Sequence, residues 1–262
     1  MWYQRGVLWM LVRRDLAVKY QASVLGYLWS LIDPLVQALI YWFIFGVLYG
    51  RGGGPGGPGT YPLYIVSGIF AWMWTNSAIT ESTKALSSQA RLITTMRVRR
   101  EIFPVGKVIA RFAEYLAGIP ILILFAIIFH GHFGWSLFAL PLALVLQFTL
   151  LIGLALALSS LNVLFRDVER IVRLTTRVLL YSQPIIYPIS KVMDSHRLPG
   201  WVKTVYETNP LVGIMQLHHS LWFPSEFPTS YQLIASAAGA LIVFIVGTWI
   251  FRATESTVLK EL

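Results

Sequence analysis

Residues 136–160 read SLFALPLALVLQFTLLIGLALALSS, twenty-five positions without one charged side chain. A helix needs about 20 apolar residues to cross the hydrocarbon of a bilayer, so this stretch spans a membrane unaided. Five more stretches fit the same template: 28–49, 62–80, 112–130, 173–190 and 231–251. The first and fifth carry interruptions, Asp33-Pro34 and Pro184. Asp33 suits the cap of a helix whose first turn starts at Pro34, with Leu28 to Ile32 at the interface. The chain is 56% hydrophobic and only 13% charged, against about 25% charged in soluble domains. One soluble core cannot hold that much apolar surface. The expected fold is an all-α integral membrane protein of six transmembrane helices, with no soluble domain and no internal repeat.

The basic residues orient the spans. Seventeen of the 21 Lys and Arg fall in the N-terminal segment, the 81–111 connection, the 161–177 connection and the C-terminal segment. The alternate connections hold four: Arg51, Lys191, Arg197 and Lys203. Cytoplasmic loops carry the basic excess, which puts both termini in the cytoplasm. The net charge of +9 is therefore a membrane's inner face and not a nucleic-acid surface. The first twenty residues carry Arg5, Arg13, Arg14 and Lys19 and lack the apolar core of a cleavable signal.

The connections differ in kind. Residues 50–59, GRGGGPGGPG, read as a flexible external linker that packs nothing. In 191–230, Trp201, Val202, Val205 and Tyr206 recur at helical spacing, as do Leu211, Ile214, Met215 and Trp222 after the cap pair Asn209-Pro210. These predict two short external helices, within 199–223, dipping into or lying on the outer leaflet before the last span. No metal site is expected: His130/His132 and His218/His219 lack further ligands and read as interfacial polar residues.

Polar groups inside spans face a cavity or another helix. Trp29, Asp33, Gln37 and Tyr41 step by four along the first span; Trp72, Asn76 and Thr80 do so in the second; Thr176, Gln183 and Tyr187 share a face of the fifth. Amides, hydroxyls and aromatic rings with almost no charge suit the lining of a path for a sugar polymer. The plainer reading is hydrogen bonding that glues helices together.

Several functions are excluded or disfavoured. With no cysteine, disulfides, thiolate metal sites and cysteine nucleophiles are absent. GxxxxGK[ST] is missing, since Gly106-Lys107 lacks the upstream glycine and the trailing hydroxyl, so ATP and Mg are expected on a partner ATPase and no cofactor on this chain. A membrane glycosyltransferase would need acids at an external mouth, and no Asp-x-Asp pair occurs. Arg166, Arg170, Arg173 and Arg177 resemble a voltage sensor in spacing, but they precede the fifth span and have local acids to pair with. No TVGYG filter exists. A partner motor would grip the 84–107 stretch, where Leu86, Leu92, Ile93 and Met96 form an apolar ridge among cations such as Arg91 and Arg97. The alternative use of that stretch is binding lipid headgroups.

Four stretches carry a family resemblance: KYQASVLGYLWSLIDPL (19–35), RLITTMRVRREIFPV (91–105), LNVLFRDVERI (161–171) and YSQPIIYP (181–188), followed by Asn209-Pro210. In this order and spacing they resemble the type-2 ABC exporter permeases of the O-antigen and teichoic-acid branch, often called Wzm-like. The excess of 15 Arg over 6 Lys and the Gly/Pro linker look similar to the galactan exporters of mycobacteria. The resemblance implies a multi-pass protein of the bacterial inner membrane and a homodimer bearing two ATP-binding cassette subunits. It implies export of a lipid-linked polysaccharide through an aromatic-lined channel. It further implies a cytoplasmic segment 1–27 with a gating helix (Arg13, Arg14, Asp15), ahead of a transmembrane domain 28–262. It places a coupling helix near Leu86–Arg97 and an external gate at Trp201, Tyr206, Met215 and Trp222. The 91–103 stretch is richer in arginine than the family pattern. The runner-up readings are a type-2 exporter of a drug or lipid and, from another class, a passive channel or membrane scaffold.

Overall fold

The computed structural model describes residues 2–21, 23–50, 53–95 and 98–261. They form a helical bundle. Helix α1 (Trp2–Tyr20) lies ahead of α2 (Trp29–Tyr41), which continues as a π-helical stretch over Trp42–Leu48; α3 (Tyr61–Thr83) and the short α4 (Ala90–Thr95) follow. Next come α5 (Ile102–Ile128), α6 (Ala139–Leu164) and α7 (Val168–Ser182), then the short helices α8 (Ser190–Met193), α9 (Gly200–Thr208) and α10 (Pro210–Ser220), and last α11 (Ser230–Glu261).

Among the described residues, four segments are long and apolar enough to cross a membrane by themselves: Gly26–Leu48, Ile102–Ile128, Trp135–Leu164 and Ser230–Glu261. Helix α3, with 23 residues, reaches about 35 Å, but it is the bundle's central helix, buried along most of its length. Helix α6 packs on α11 through two glycines. A Cβ on Gly153 would meet the Phe244 backbone at 2.5 Å, and one on Gly247 would meet the Gly153 carbonyl at 2.0 Å. Small residues let backbones approach where lipid offers no hydrophobic drive.

Several expectations change. Asp33 caps nothing: the helix runs through it from Trp29, with Pro34 buried inside the helix. The third apolar run starts its helix at Ile102, ten residues before 112, and so carries Lys107 and Arg111 within its first three turns. Residues 173–190 are not one helix. Helix α7 has 15 residues, about 22 Å, and includes Arg170, Arg173 and Arg177, so these arginines lie in the fifth helix rather than before it. It stops at Ser182 because Pro184 drives the preceding Gln183 out of helical geometry, to φ −104 and ψ 156. The Gly/Pro linker is folded where described: Gly53–Gly54 pairs antiparallel with Gly57–Pro58, and a Cβ on Gly56 would touch the Phe223 ring at 3.0 Å.

The two short helices also separate. Helix α9 is half exposed, whereas residues 211–220 of α10 are all buried between α3, α6 and α11. Asn209 caps α10 as its sequence suggests, accepting the Leu211 N–H at 3.0 Å.

Candidate functional site

Among the described residues, two cavities with polar groups in their walls and two polar networks border α3, and the charged network gathers at the end of the bundle where α1, the C-terminus of α3 and the N-terminus of α5 meet. Lys107, Arg111 and Glu114 fall on one face of α5 at steps of four and three. The Arg111 side chain is 0% exposed. Its guanidinium meets Asp15 of α1 at 2.9 Å, Glu81 of α3 at 3.3 Å and Glu114 of its own helix. Lys107 pairs with Asp15. Lys19 reaches Glu114 at 3.1 Å and Glu81 at 3.6 Å, and the Tyr20 hydroxyl donates to Glu114 at 2.7 Å. Burial, with the Glu114 charge alongside, pushes the Tyr20 phenol well above its ordinary value. Three cations face three carboxylates, so the cluster sums to zero.

Beside it lies a cavity of about 310 Å³. Its walls are Lys19, Tyr20 and Ser23; Trp29, Ser30, Asp33 and Pro34; Phe70, Met73, Trp74 and Ser77; and Arg111, Glu114 and Tyr115. Neutralised charge, hydroxyls and aromatic faces suit a polyhydroxylated ligand better than a bare anion.

The second network is neutral. Gln147 Nε2 donates to Ala71 O (3.1 Å) and Thr75 Oγ1 (2.8 Å), which leaves its Oε1 to accept from His218 Nε2–H at 2.6 Å. His218 Nδ1 then accepts from the Tyr115 hydroxyl at 3.2 Å. His219 Nε2–H donates to Pro184 O at 2.9 Å, Ser67 Oγ sits 3.0 Å from its Nδ1, and Tyr64 stacks on its ring at 3.9 Å. The break after α7 frees carbonyls that lipid cannot satisfy. Side chains supply the donors: Tyr61 to Ile186 O at 2.7 Å, and the Tyr64 hydroxyl between Pro184 O (3.1 Å) and Tyr187 O (3.0 Å). Around this break a second cavity, about 350 Å³, is lined by Phe45, Tyr61, Tyr181, Ile186, Tyr187, Pro188 and Lys191.

The residues singled out from sequence scatter unevenly across this framework. Trp29 and Asp33 line the first cavity and Tyr187 the second. Tyr41 meets Tyr181 edge-on at 6.4 Å, and Gln37 is half-buried on the same helix. Trp72 is buried in the core, and Asn76 lines neither cavity. The lining face of α3 is Phe70, Met73, Trp74 and Ser77, the neighbouring face to the one expected. Gln183 is fully buried and its amide finds no partner among the described residues.

On the 84–101 connection, Leu86 and Ile93 are buried, with Leu92 beside them, against Leu11, Phe103, Leu156, Phe251 and Val258. The apolar ridge faces this chain's own core, and the polar and cationic side chains of the same connection turn outward. Lys84, Ser87, Ser88, Arg91, Thr94 and Thr95 are what it exposes; Met96 and Arg97 lie outside the described residues. Of the expected inner gate, Asp15 joins the charge cluster, Arg13 stacks over exposed Trp9 at 5.0 Å, and Arg14 donates to Gln89 at 3.0 Å. Of the outer gate, Trp201 is 71% exposed and Tyr206 is half-buried, but Met215 and Trp222 are core residues.

Spacing and composition alone do not single out Arg111, Glu114 and Glu81, nor Tyr61, Tyr64 and Gln147. His218 and His219, expected at an interface, are both fully enclosed. What signal there is lies in the 107/111/114 spacing and in a polar pair inside an apolar run.

The profile of a family described as ABC-2 type transporter matches residues 6–221. The chain is 30% identical over 252 residues to an O-antigen export system permease protein, RfbA, of Klebsiella pneumoniae, covering 95% of this chain and 92% of the relative. It is 24% identical over 249 residues to the protein of the same description in Myxococcus xanthus (95% and 92% covered). It is 23% identical over 253 residues to the polysialic acid transport protein KpsM of Escherichia coli (95% and 93% covered).

Proposed function

The chain belongs to the ABC-2 type transporter family, a multi-pass membrane permease family, and on that footing we propose that it is the membrane-spanning subunit of an exporter that carries a lipid-linked polysaccharide outward. The observation that carries this reading is full-length similarity to permeases named for O-antigen and polysialic acid export. It is supported by two cavities walled with aromatic rings and hydroxyls, since sugar C–H faces stack on rings while hydroxyls exchange hydrogen bonds. Energy comes from a separate ATPase subunit, as no phosphate-binding loop occurs here. That partner docks on the polar, cationic face of the 84–101 connection.

In this reading the chain crosses the membrane six times, with α3 and α7 completing the four self-sufficient spans, and the charge-rich end lies in the cytoplasm. The functional unit is a homodimer. Supporting this, Val36, Leu39 and Ile40 on α2 with Phe43 just beyond it, and Ile171, Leu174, Val178 and Tyr181 on α7, form exposed apolar stripes. A second copy would bury the stripes and close the path. The cargo that fits the sequence resemblance is a galactan.

Depleting the protein in its native host tests the function. A lipid-linked glycan, released by mild acid and rich in galactose, should accumulate on the cytoplasmic side while its surface form declines. Unchanged glycan on both sides after full depletion would sink the reading; accumulation of a different sugar would correct the cargo alone.

A further inference from the structure

Resting on the transport reading, we propose that Arg111 is a positioning residue that welds α1 to the charge-rich ends of α3 and α5, so that the three move as one body and the first cavity opens by displacement of α2. Each of the three pieces contributes to the same ionic cluster: Asp15, Lys19 and Tyr20 from α1, Glu81 from α3, and Lys107, Arg111 and Glu114 from α5. Arg111 touches all three pieces and is sealed from solvent. Pulling α1 away would strand a buried guanidinium and its carboxylates, a far worse outcome than moving an element held by apolar contact. Beneath the cluster, Leu11 adds a second, apolar attachment to Phe103 and Val258.

Helix α2 is held differently. It supplies Trp29, Ser30, Asp33 and Pro34 to the cavity wall but no charged group to the ionic cluster, which it meets only through the Ser30 hydroxyl against the Tyr20 phenol. Among its residues only Pro34, Ala38 and Tyr41 are buried. Between α1 and α2 stands Gly26, at φ +51 with open space around its Cα, a conformation that other residues resist. A helix on a glycine joint next to a welded trio is the wall that can move. Helix α1 is then a fixed lever: motion imposed by a partner on the connection between α3 and α5 passes directly into it.

The absence of native cysteine makes the test clean. Leu8→Cys with Gly106→Cys places thiols on α1 and α5 where a Cβ on 106 lies 3.5 Å from the Leu8 side chain, and neither replaced residue carries a charge of the cluster. Ser30→Cys with Ser77→Cys places them on opposite walls of the cavity. Each variant is reconstituted with its ATPase in proteoliposomes and bridged by a short bis-methanethiosulfonate. The 8–106 bridge should leave glycan export unchanged, and the 30–77 bridge should abolish it until reduced. Loss of export on bridging 8 to 106, or full export with 30 bridged to 77, overturns the proposal. Absence of export by the unsubstituted protein, reconstituted alongside, overturns the transport reading on which it rests. In an Arg111→Gln background the 8–106 bridging rate should fall about tenfold, the size of a typical coupling. Arg111→Lys should restore it. An unchanged rate in Arg111→Gln would remove Arg111 from the role.

Discussion

At the charge-rich end Arg111 is surrounded by Asp15, Glu81 and Glu114, whereas deeper in the bundle His218 and His219 are held by hydroxyls, an amide and a carbonyl. The two networks abut at consecutive residues, Glu114 and Tyr115. The first joins separate pieces of chain through charge, at a depth where water is a few turns away. The second repairs a broken helix with neutral donors, where an uncompensated charge would be far costlier. Ion pairs reward exact pairing and punish the loss of one partner. Neutral bonds are individually weaker, and Pro184 O takes two of them, so the loss of one is softened by the other.

The largest expected effect follows from that asymmetry. Arg111→Ala leaves three carboxylates without their common partner, and breaking a buried ionic group in this way costs about 3–5 kcal/mol. Thermal unfolding in detergent should fall steeply, and replacement by lysine should recover part of it. A loss below about 1 kcal/mol, the scale of exposed pairs, would mean the cluster behaves as a solvated one and would break the contrast.

A smaller effect is expected at the neutral network. His219→Phe keeps a ring to stack on Tyr64 but removes the donor to Pro184 O, a loss of about 1–3 kcal/mol for a buried acceptor. The Tyr64 hydroxyl, 3.1 Å from the same carbonyl, keeps the loss at the low end. Tyr64→Phe combined with His219→Phe should cost more than the two single changes summed, measured by denaturant titration in micelles. Simple additivity would show that the two donors do not back each other up.

The smallest effect sharpens the comparison at the outer loop. Glu226 is buried, and burial pushes its carboxyl above the ordinary value of 4.5, although the Ile189 N–H it accepts works the other way. A raised folded value means that the stability is fully present below pH 4.5 and is lost as pH rises through the folded value. Glu226→Gln should flatten that decline and slightly raise the melting temperature at neutral pH. An unaltered pH profile in the variant would assign the decline to other groups.

Much of the architecture was legible without coordinates. Runs such as 136–160 leave lipid as the one solvent that can cover them, and the Asn209-Pro210 cap marked the start of α10. Apolar content and capping are local, so spacing alone reveals them. The face of α3 that lines the cavity was not legible. Trp72 and Trp74 are chemically equal in the sequence, and only the positions of α2 and α5 decide that Trp74 borders the cavity while Trp72 packs in the core. The apolar ridge at Leu86 and Ile93 misled for the same reason: an exposed-looking stripe on a connection is indistinguishable, in one dimension, from one folded back under α1.

The sequence by itself determined that this chain lives in a bilayer and that its basic residues concentrate in alternate connections. It also determined that it lacks a nucleotide-binding loop, because composition, charge order and motif spacing are properties of the chain alone. Only the tertiary structure decided that Asp15, Glu81 and Arg111, far apart in the chain, would form one ionic cluster. It alone decided that His219 would hold the carbonyl freed by Pro184, since those groups meet through the packing of whole helices and no local pattern records which helices will be neighbours.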